Sequence, residues 1–402
     1  MGDNIRFEVV KKIAETNFKL KNLDKISQLN SVSPPSVFIG SKLKYPFMNV
    51  GILSPIQREE NAWVYDDAKY WAQNDFQISD VIKLRESLLN SRFRTRAGDV
   101  RRKNKFLDIA KELAVAYKPV DVEIELKRRV KVYRQKDRVT MPQAMGAPLQ
   151  KARITSNVKV HQKVDKMMND EVKASEALGI LYKTNIDEYA LSKILSIGAL
   201  GLKKNKKLVP TRWSITATDD SLGKNLLSNI RDYKWIEDYE LFFGEFMGNQ
   251  YLIMLFPNVW SYELFELYYP GSSWNPSSEI KASTDFESYG GRKSYAFNCA
   301  GGYYAARLPI LEYLESIKRQ ASVLVIRLET PSYWAALGVW VVRESVRKAI
   351  KNGVRLFDSR EELLESVKKI AKIKYDFDAH QILNQSKLLL QIKNQRNLGE
   401  WF

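Results

Sequence analysis

Between Tyr239 and Tyr269 the sequence is dominated by aromatic and β-branched residues, and Gly248-Asn249 interrupts it midway. Tyr239, Phe242, Phe243 and Phe246 precede the interruption, and the unbroken run Tyr251-Leu252-Ile253-Met254-Leu255-Phe256 follows it. Such side chains fit a pleated surface, and a glycine-containing pair supplies the positive φ of a two-residue hairpin loop. The segment predicts a strand pair looping at Gly248-Asn249, so any fold for this chain has to contain a sheet. A further buried strand is expected over 321–328, a short run that is apolar apart from Ser322 and Arg327.

Short strands are expected at 37–40 and 49–53, punctuated by glycine and proline. Helical spacing occurs at 78–89, 174–181, 189–197, 303–319, 333–352 and 359–372. Val209 to Asp220 alternates like a strand, with Asp220 or Ser221 as cap of a helix through Leu226 and Ile230. The expected class is mixed α/β (α+β), a central and mostly antiparallel sheet flanked by helices, with a helical N-terminal region and a flexible C-terminal tail. Residues 1–32 read as a helical arm with Phe7, Val10, Ile13 and Phe18 as its stripe. Residues 33–200 follow as a basic, mainly helical region, 201–375 as the mixed core with the candidate pocket, and 376–402 as a helix and tail.

One cysteine and two histidines among 402 residues exclude an internal disulfide, a multi-thiolate zinc site and HExxH chemistry. No zinc is expected, and catalysis would fall to carboxylate, Tyr, Lys or Arg side chains. No run of 18 apolar residues is present, so no membrane span is expected. A reducing cytoplasm, in association with the nucleoid, is the expected location.

The net charge of +17 is concentrated. Arg92, Arg94, Arg96, Arg101, Arg102, Lys103 and Lys105 crowd one stretch, and Lys127, Arg128, Arg129, Lys131, Arg134, Lys136 and Arg138 a second. Clustered cations are the footprint of a phosphate-backbone binder, while a solvated face is the alternative. The first seven, with Arg128 and Arg129, are candidate DNA contacts. Tyr117 and Tyr133 lie between or among the clusters as candidate base-stacking rings.

The dense segments from 209 to 307 suggest a pocket. Arg212, Asp219, Tyr303 and Arg307 are candidate catalytic groups, and Trp213 and Tyr304 candidate stackers on an unpaired base. Asp219 and Asp220 could hold Mg²⁺ or Mn²⁺ through oxygen, although a capping role fits them better. Gly290-Gly291 and Gly301-Gly302 admit two readings, close approach of a phosphate to backbone N–H groups or tight turns. Glu245, Asn249, Glu263 and Glu266 lie on or beside the expected strands, but Glu263 and Glu266 differ by three positions and would not share a face.

The chain ends Gln395-Arg396-Asn397-Leu398-Gly399-Glu400-Trp401-Phe402, which resembles the box by which repair and replication proteins bind the sliding clamp PCNA. A tight turn would bring Leu398, Trp401 and Phe402 to one side as an apolar plug with Gln395 at the rim. Together with SPPSVFIG, YPFMNVGILSP, VPTRWSITATDD, GRKSYA and GGYYAAR, this terminus resembles the archaeal Nre family of DNA-repair proteins from about residue 33 onward. The resemblance implies resistance to DNA damage and PCNA binding; it implies no reaction. Many family members have a zinc-finger-like N-terminus with paired cysteines, whereas residues 1–32 here contain neither cysteine nor histidine.

Overall fold

The computed structural model of the chain describes residues 26–130 and 145–394. Most of the expected arm, the second half of the second basic cluster with Tyr133, and the C-terminal box lie outside the described residues. The chain divides into two compact units, with the division between Leu222 and Gly223.

The N-terminal unit carries strands β1 (Gln28–Ser33), β2 (Val37–Gly40), β3 (Phe47–Pro55), β4 (Leu88–Arg96), β5 (Val120–Leu126) and β6 (Met145–Ile154). They form one sheet in the order β1-β5-β6-β4-β3-β2, antiparallel except for β4 against β6. Helices α1 (Ala68–Gln73), α2 (Ile78–Glu86), α3 (Lys105–Val115), α4 (Gln162–Asn169), α5 (Ala174–Tyr182) and α6 (Glu188–Ser196) complete the unit. The Asn104 side chain caps α3 by accepting from the Leu107 N–H, and Leu107, Ala110, Leu113 and Ala114 give it a buried stripe. That helix packs against β2, β3 and β6 of the sheet.

Two local differences from the expected layout appear here. Residues 28–33 are a strand, although they were expected to end a helical arm. The region expected to be mainly helical also holds five strands, two of which, β4 and β5, carry charge on alternate positions, which hides their period. The expected strands at 37–40 and 49–53 correspond to β2 and β3, and the helix pair around Asn185 to α5 and α6.

The helix α7 (Thr211–Ile230) contains the dividing line. The strand expected from 209 to 220 is absent: the helix starts directly after Pro210, whose carbonyl accepts from the N–H groups of Trp213 and Ser214. Proline suits a helix start, where its missing N–H costs nothing. Asp220 and Ser221 therefore lie in the middle of the helix and cap nothing.

The C-terminal unit builds a second sheet from β7 (Tyr239–Phe246), β8 (Asn249–Phe256), β9 (Ser261–Tyr268), β10 (Lys281–Glu287), β11 (Ser322–Glu329) and β12 (Arg355–Phe357), ordered β10-β9-β11-β8-β7-β12. Only β11 and β9 run parallel. The helices are α8 (Ala300–Ile317), α9 (Trp340–Lys351), α10 (Arg360–Tyr375), α11 (His380–Gln385) and α12 (Lys387–Asn394). All of β11 is buried, as a strand between two helical layers has to be. Val323 and Val325 face the core shared with α8 and α9, while Leu324, Ile326 and Leu328 face the one shared with α10 and α11.

The hairpin between β7 and β8 turns on Met247-Gly248, one residue earlier than expected, with φ of 50° and 72°. Asn249 opens β8 because it is a buried ligand: its Oδ1 accepts from Nε and Nη2 of Arg327, at 3.0 and 2.6 Å. The same guanidinium reaches Glu266 at 2.5 Å and Glu329 at 2.9 Å. On the opposite face Glu263 accepts from Ser386 Oγ at 2.6 Å and from the N–H groups of Lys387 and Leu388, which fixes the start of α12.

In the N-terminal unit burial pushes the Glu86 carboxyl up to about 7. The folded chain then holds a proton that the unfolded chain releases near the usual carboxylate range, so this group's stabilisation is present at low pH and lost as pH rises towards 7. Glu86→Gln should remove that slope, gaining about 1–3 kcal/mol over wild type above about pH 7 in urea unfolding. An unchanged pH dependence would return Glu86 to solvent.

Candidate nucleic-acid interface

Strand alternation puts Arg92, Arg94 and Arg96 on one exposed face of β4. Neither Arg92 nor Arg94 has a carboxylate partner among the described residues. The β3 partner of Arg96 is Phe47, and the guanidinium of Arg94 lies 4.1 Å from its ring and that of Arg96 5.2 Å. These cation–π contacts orient two charges while leaving them available to an anion.

A cleft of about 600 Å³ opens beside Arg96, lined also by Tyr45, Asp99, Arg101, Arg102, Lys204, Lys206 and Lys207. Six cations thus face one carboxylate. Short backbone links assemble them: Ala97 N–H donates to Pro46 and Leu208 N–H to Ala97, both at 2.8 Å, while Arg101 Nη1 reaches the Lys204 carbonyl at 2.6 Å. The Asp99 carboxyl is held below its usual range, chiefly by the Arg96 backbone N–H and then by the Thr95 hydroxyl. Burial first, and then Lys111, lowers the pKa of Lys206, whose Nζ donates to the Met168 carbonyl.

A second cleft of about 510 Å³ lies at Asn49, Arg92, Phe93, Arg94, Phe106, Lys127 and Leu149. The Arg92 side chain lies over Gly146, where a Cβ would sit 2.5 Å from its guanidinium. Lys103, Lys105, Arg128 and Arg129 are exposed. Seven of the nine arginine and lysine candidates for DNA contact therefore fall along β4, the turn after it and the start of α3. Lys204, Lys206 and Lys207 were not among those candidates: their run is visible in the sequence, but about 100 residues separate it from the cluster it joins.

The other candidates separate. Arg212 and Trp213 are exposed on the first turn of α7, and Asp219 is buried further along it. Tyr303 and Arg307 are buried on α8 of the C-terminal unit, with Arg307 Nη1 2.8 Å from Glu287, the two side chains 2% and 0% exposed. Tyr304 is buried and stacks on Tyr295 at 5.6 Å. Among the described residues no group of three or more His, Cys, Asp or Glu side chains could hold a metal ion. Gly302 makes room for a carboxylate, since a Cβ would meet Glu266 Oε1 at 2.4 Å. Asp285 accepts from Asn298 and Cys299 N–H at 2.9 Å just before α8. Gly290-Gly291 forms a turn, with Gly291 at φ 73° and its N–H on the Ser288 carbonyl.

Two mixed sheets of six strands, one unit bearing a cationic, cleft-lined face and the other a buried ion-pair core, define a mixed α/β protein. The chain belongs to the archaeal Nre family: residues 3–275 match the family model described as archaeal Nre, N-terminal, and residues 287–401 the one described as archaeal Nre, C-terminal. It is 40% identical to the DNA repair protein NreA of Archaeoglobus fulgidus over 345 residues, 86% of each chain. It is 39% identical to NreA of Haloferax volcanii, covering 79% of this chain and 77% of that one, and 35% identical to the DNA repair protein NreB of Archaeoglobus fulgidus, covering 84% of each. No solved structure matches.

Removing Arg307 would leave Glu287 charged and buried. Arg307→Ala should therefore destabilise the chain by about 3–5 kcal/mol in denaturant unfolding, and a loss below about 1 kcal/mol would mean that the pair is solvated.

Proposed function

We propose that this chain is a DNA-repair protein that grips the DNA backbone through the β4 face and is recruited to the PCNA clamp through Gln395, Leu398, Trp401 and Phe402. The relatives named as DNA repair proteins support the role, and the alignment of Arg92, Arg94 and Arg96 beside a six-cation cleft supports the contact. Phosphate neutralisation releases condensed counterions, so affinity for duplex DNA should fall steeply with salt. Arg92→Glu with Arg94→Glu should weaken binding and make the slope of log K against log salt shallower by about 0.9 for each phosphate that is no longer neutralised. An unaltered slope removes this face from the DNA surface.

The clamp contact rests on the terminal sequence, whose aromatic residues are of the kind that dominate interface hot spots. Trp401→Ala with Phe402→Ala should abolish PCNA binding in calorimetry and leave the Tm unchanged. A large drop in Tm would instead assign these rings to the protein's own core.

A processing centre would draw on Arg212, Asp219, Tyr303 and Arg307, with Mg²⁺ or Mn²⁺ as the candidate cofactor. The commitment of Arg307 to Glu287 favours a second reading, a non-catalytic adaptor that joins DNA, clamp and another repair factor. Incubation with lesion-bearing DNAs, with Mg²⁺, with Mn²⁺ and with EDTA, separates the two by whether product forms.

A further inference from the structure

The segment joining β10 to α8, residues 288–299, belongs to neither basic cluster and reads Ser-Tyr-Gly-Gly-Arg-Lys-Ser-Tyr-Ala-Phe-Asn-Cys, with two cations and no carboxylate. Its backbone is pinned. Arg292 donates to the carbonyls of Phe286, Ser294 and Tyr295 at 3.0, 3.3 and 3.0 Å and pairs with Asp285 at 3.1 Å. Ala296 N–H donates to the buried Tyr304 hydroxyl at 2.9 Å, and Asp285 holds the N–H groups of Asn298 and Cys299.

This fixed frame holds three aromatic rings in water. Phe297 is 79% exposed, Tyr289 44% and Tyr295 41%. Tyr295 is braced from behind by its stack on Tyr304 and edge-on by Phe297 at 5.2 Å. The Arg231 guanidinium lies 5.2 Å from the Tyr289 ring, and Lys293 is exposed between the tyrosines in sequence. A pinned loop that keeps large rings exposed, with cations and no carboxylate among them, is complementary to a ligand with flat π-faces and negative charge in alternation.

We propose that the 288–299 loop is a stacking platform for unpaired bases of single-stranded DNA, with Phe297, Tyr289 and Tyr295 contacting bases and Lys293 and Arg231 neighbouring phosphates. The inference rests on the reading that the chain binds DNA, and it separates the two kinds of contact: the β4 face holds backbone, the loop holds bases.

The test is fluorescence anisotropy of the full chain with a labelled oligothymidine and with a fully paired duplex of equal length. Phe297→Ala with Tyr289→Ala should weaken oligothymidine binding about tenfold or more and change duplex binding by less than about twofold, while Phe297→Trp retains both. Unchanged oligothymidine binding, with wild type binding both DNAs, overturns the platform and leaves the β4 reading standing. An equal loss on both DNAs also overturns it, since it would show no preference for unpaired bases. Wild type that binds neither DNA overturns both readings together. Loss of self-association in light scattering, with oligothymidine binding intact, would make the patch an interface between copies of this chain and overturn the platform.

Discussion

Arg327 puts a guanidinium in the middle of a buried sheet, where an unpaired charge would cost several kcal/mol. The cost is offset only when Asn249 of β8, Glu266 of β9 and Glu329 of β11 converge on it. In the parallel pairing Arg327 stands opposite Glu266, and in the antiparallel pairing Glu329 stands opposite Asn249. A one-residue slip of β11 would turn Arg327 into the layer of Leu324 and Ile326, where no such partners wait. The network therefore sets the register of the three innermost strands. Burial raises the Glu329 carboxyl to about 7 against the opposing pull of Arg327, so the cluster is a polar core held together by mutual need.

The N-terminal unit solves a different problem. It must keep like charges side by side, and it does so with main-chain bonds and aromatic faces that need no counter-charge. The Pro46, Ala97 and Leu208 backbone links hold the cationic segments in place, while Phe47 orients Arg94 and Arg96. Charges arranged this way keep their potential unneutralised, at the expense of some self-repulsion in the folded state.

The sheet of the C-terminal unit was legible in the sequence because aromatic and β-branched runs mark buried strands directly. The strands of the first unit were less so: Arg92, Arg94 and Arg96 alternate with Phe93 and Thr95, and the period is plain only once their charge is set aside. VPTRWSITATDD misled because its alternation is also compatible with a helix, and Pro210 marks a start as readily as an end. The basic face could be read from the first cluster, but its cleft could not, since Lys204 to Lys207 join it through folding. Arg327 was visible as a lone cation in an apolar strand, a signal of buried partners that sequence cannot name. The exposed rings at 289–297 are overshadowed in the sequence by the glycines beside them, because nothing in a residue's identity says that a tyrosine or phenylalanine will be left in water.

Glu263 of β9 fastens the first turn of α12, which is described as far as Asn394. Gln395, first residue of the proposed clamp-binding box, comes next in the chain. A coil tether would let a captured body wander through a volume that grows with its length, diluting it near the clamp. The helix α12 is no such tether: Leu388 is buried in the core, Leu389 and Ile392 pack against it, and a buried carboxylate holds its first turn. The last described turns of the chain are therefore part of the body of the C-terminal unit, and the buried Glu263 is what fastens them there.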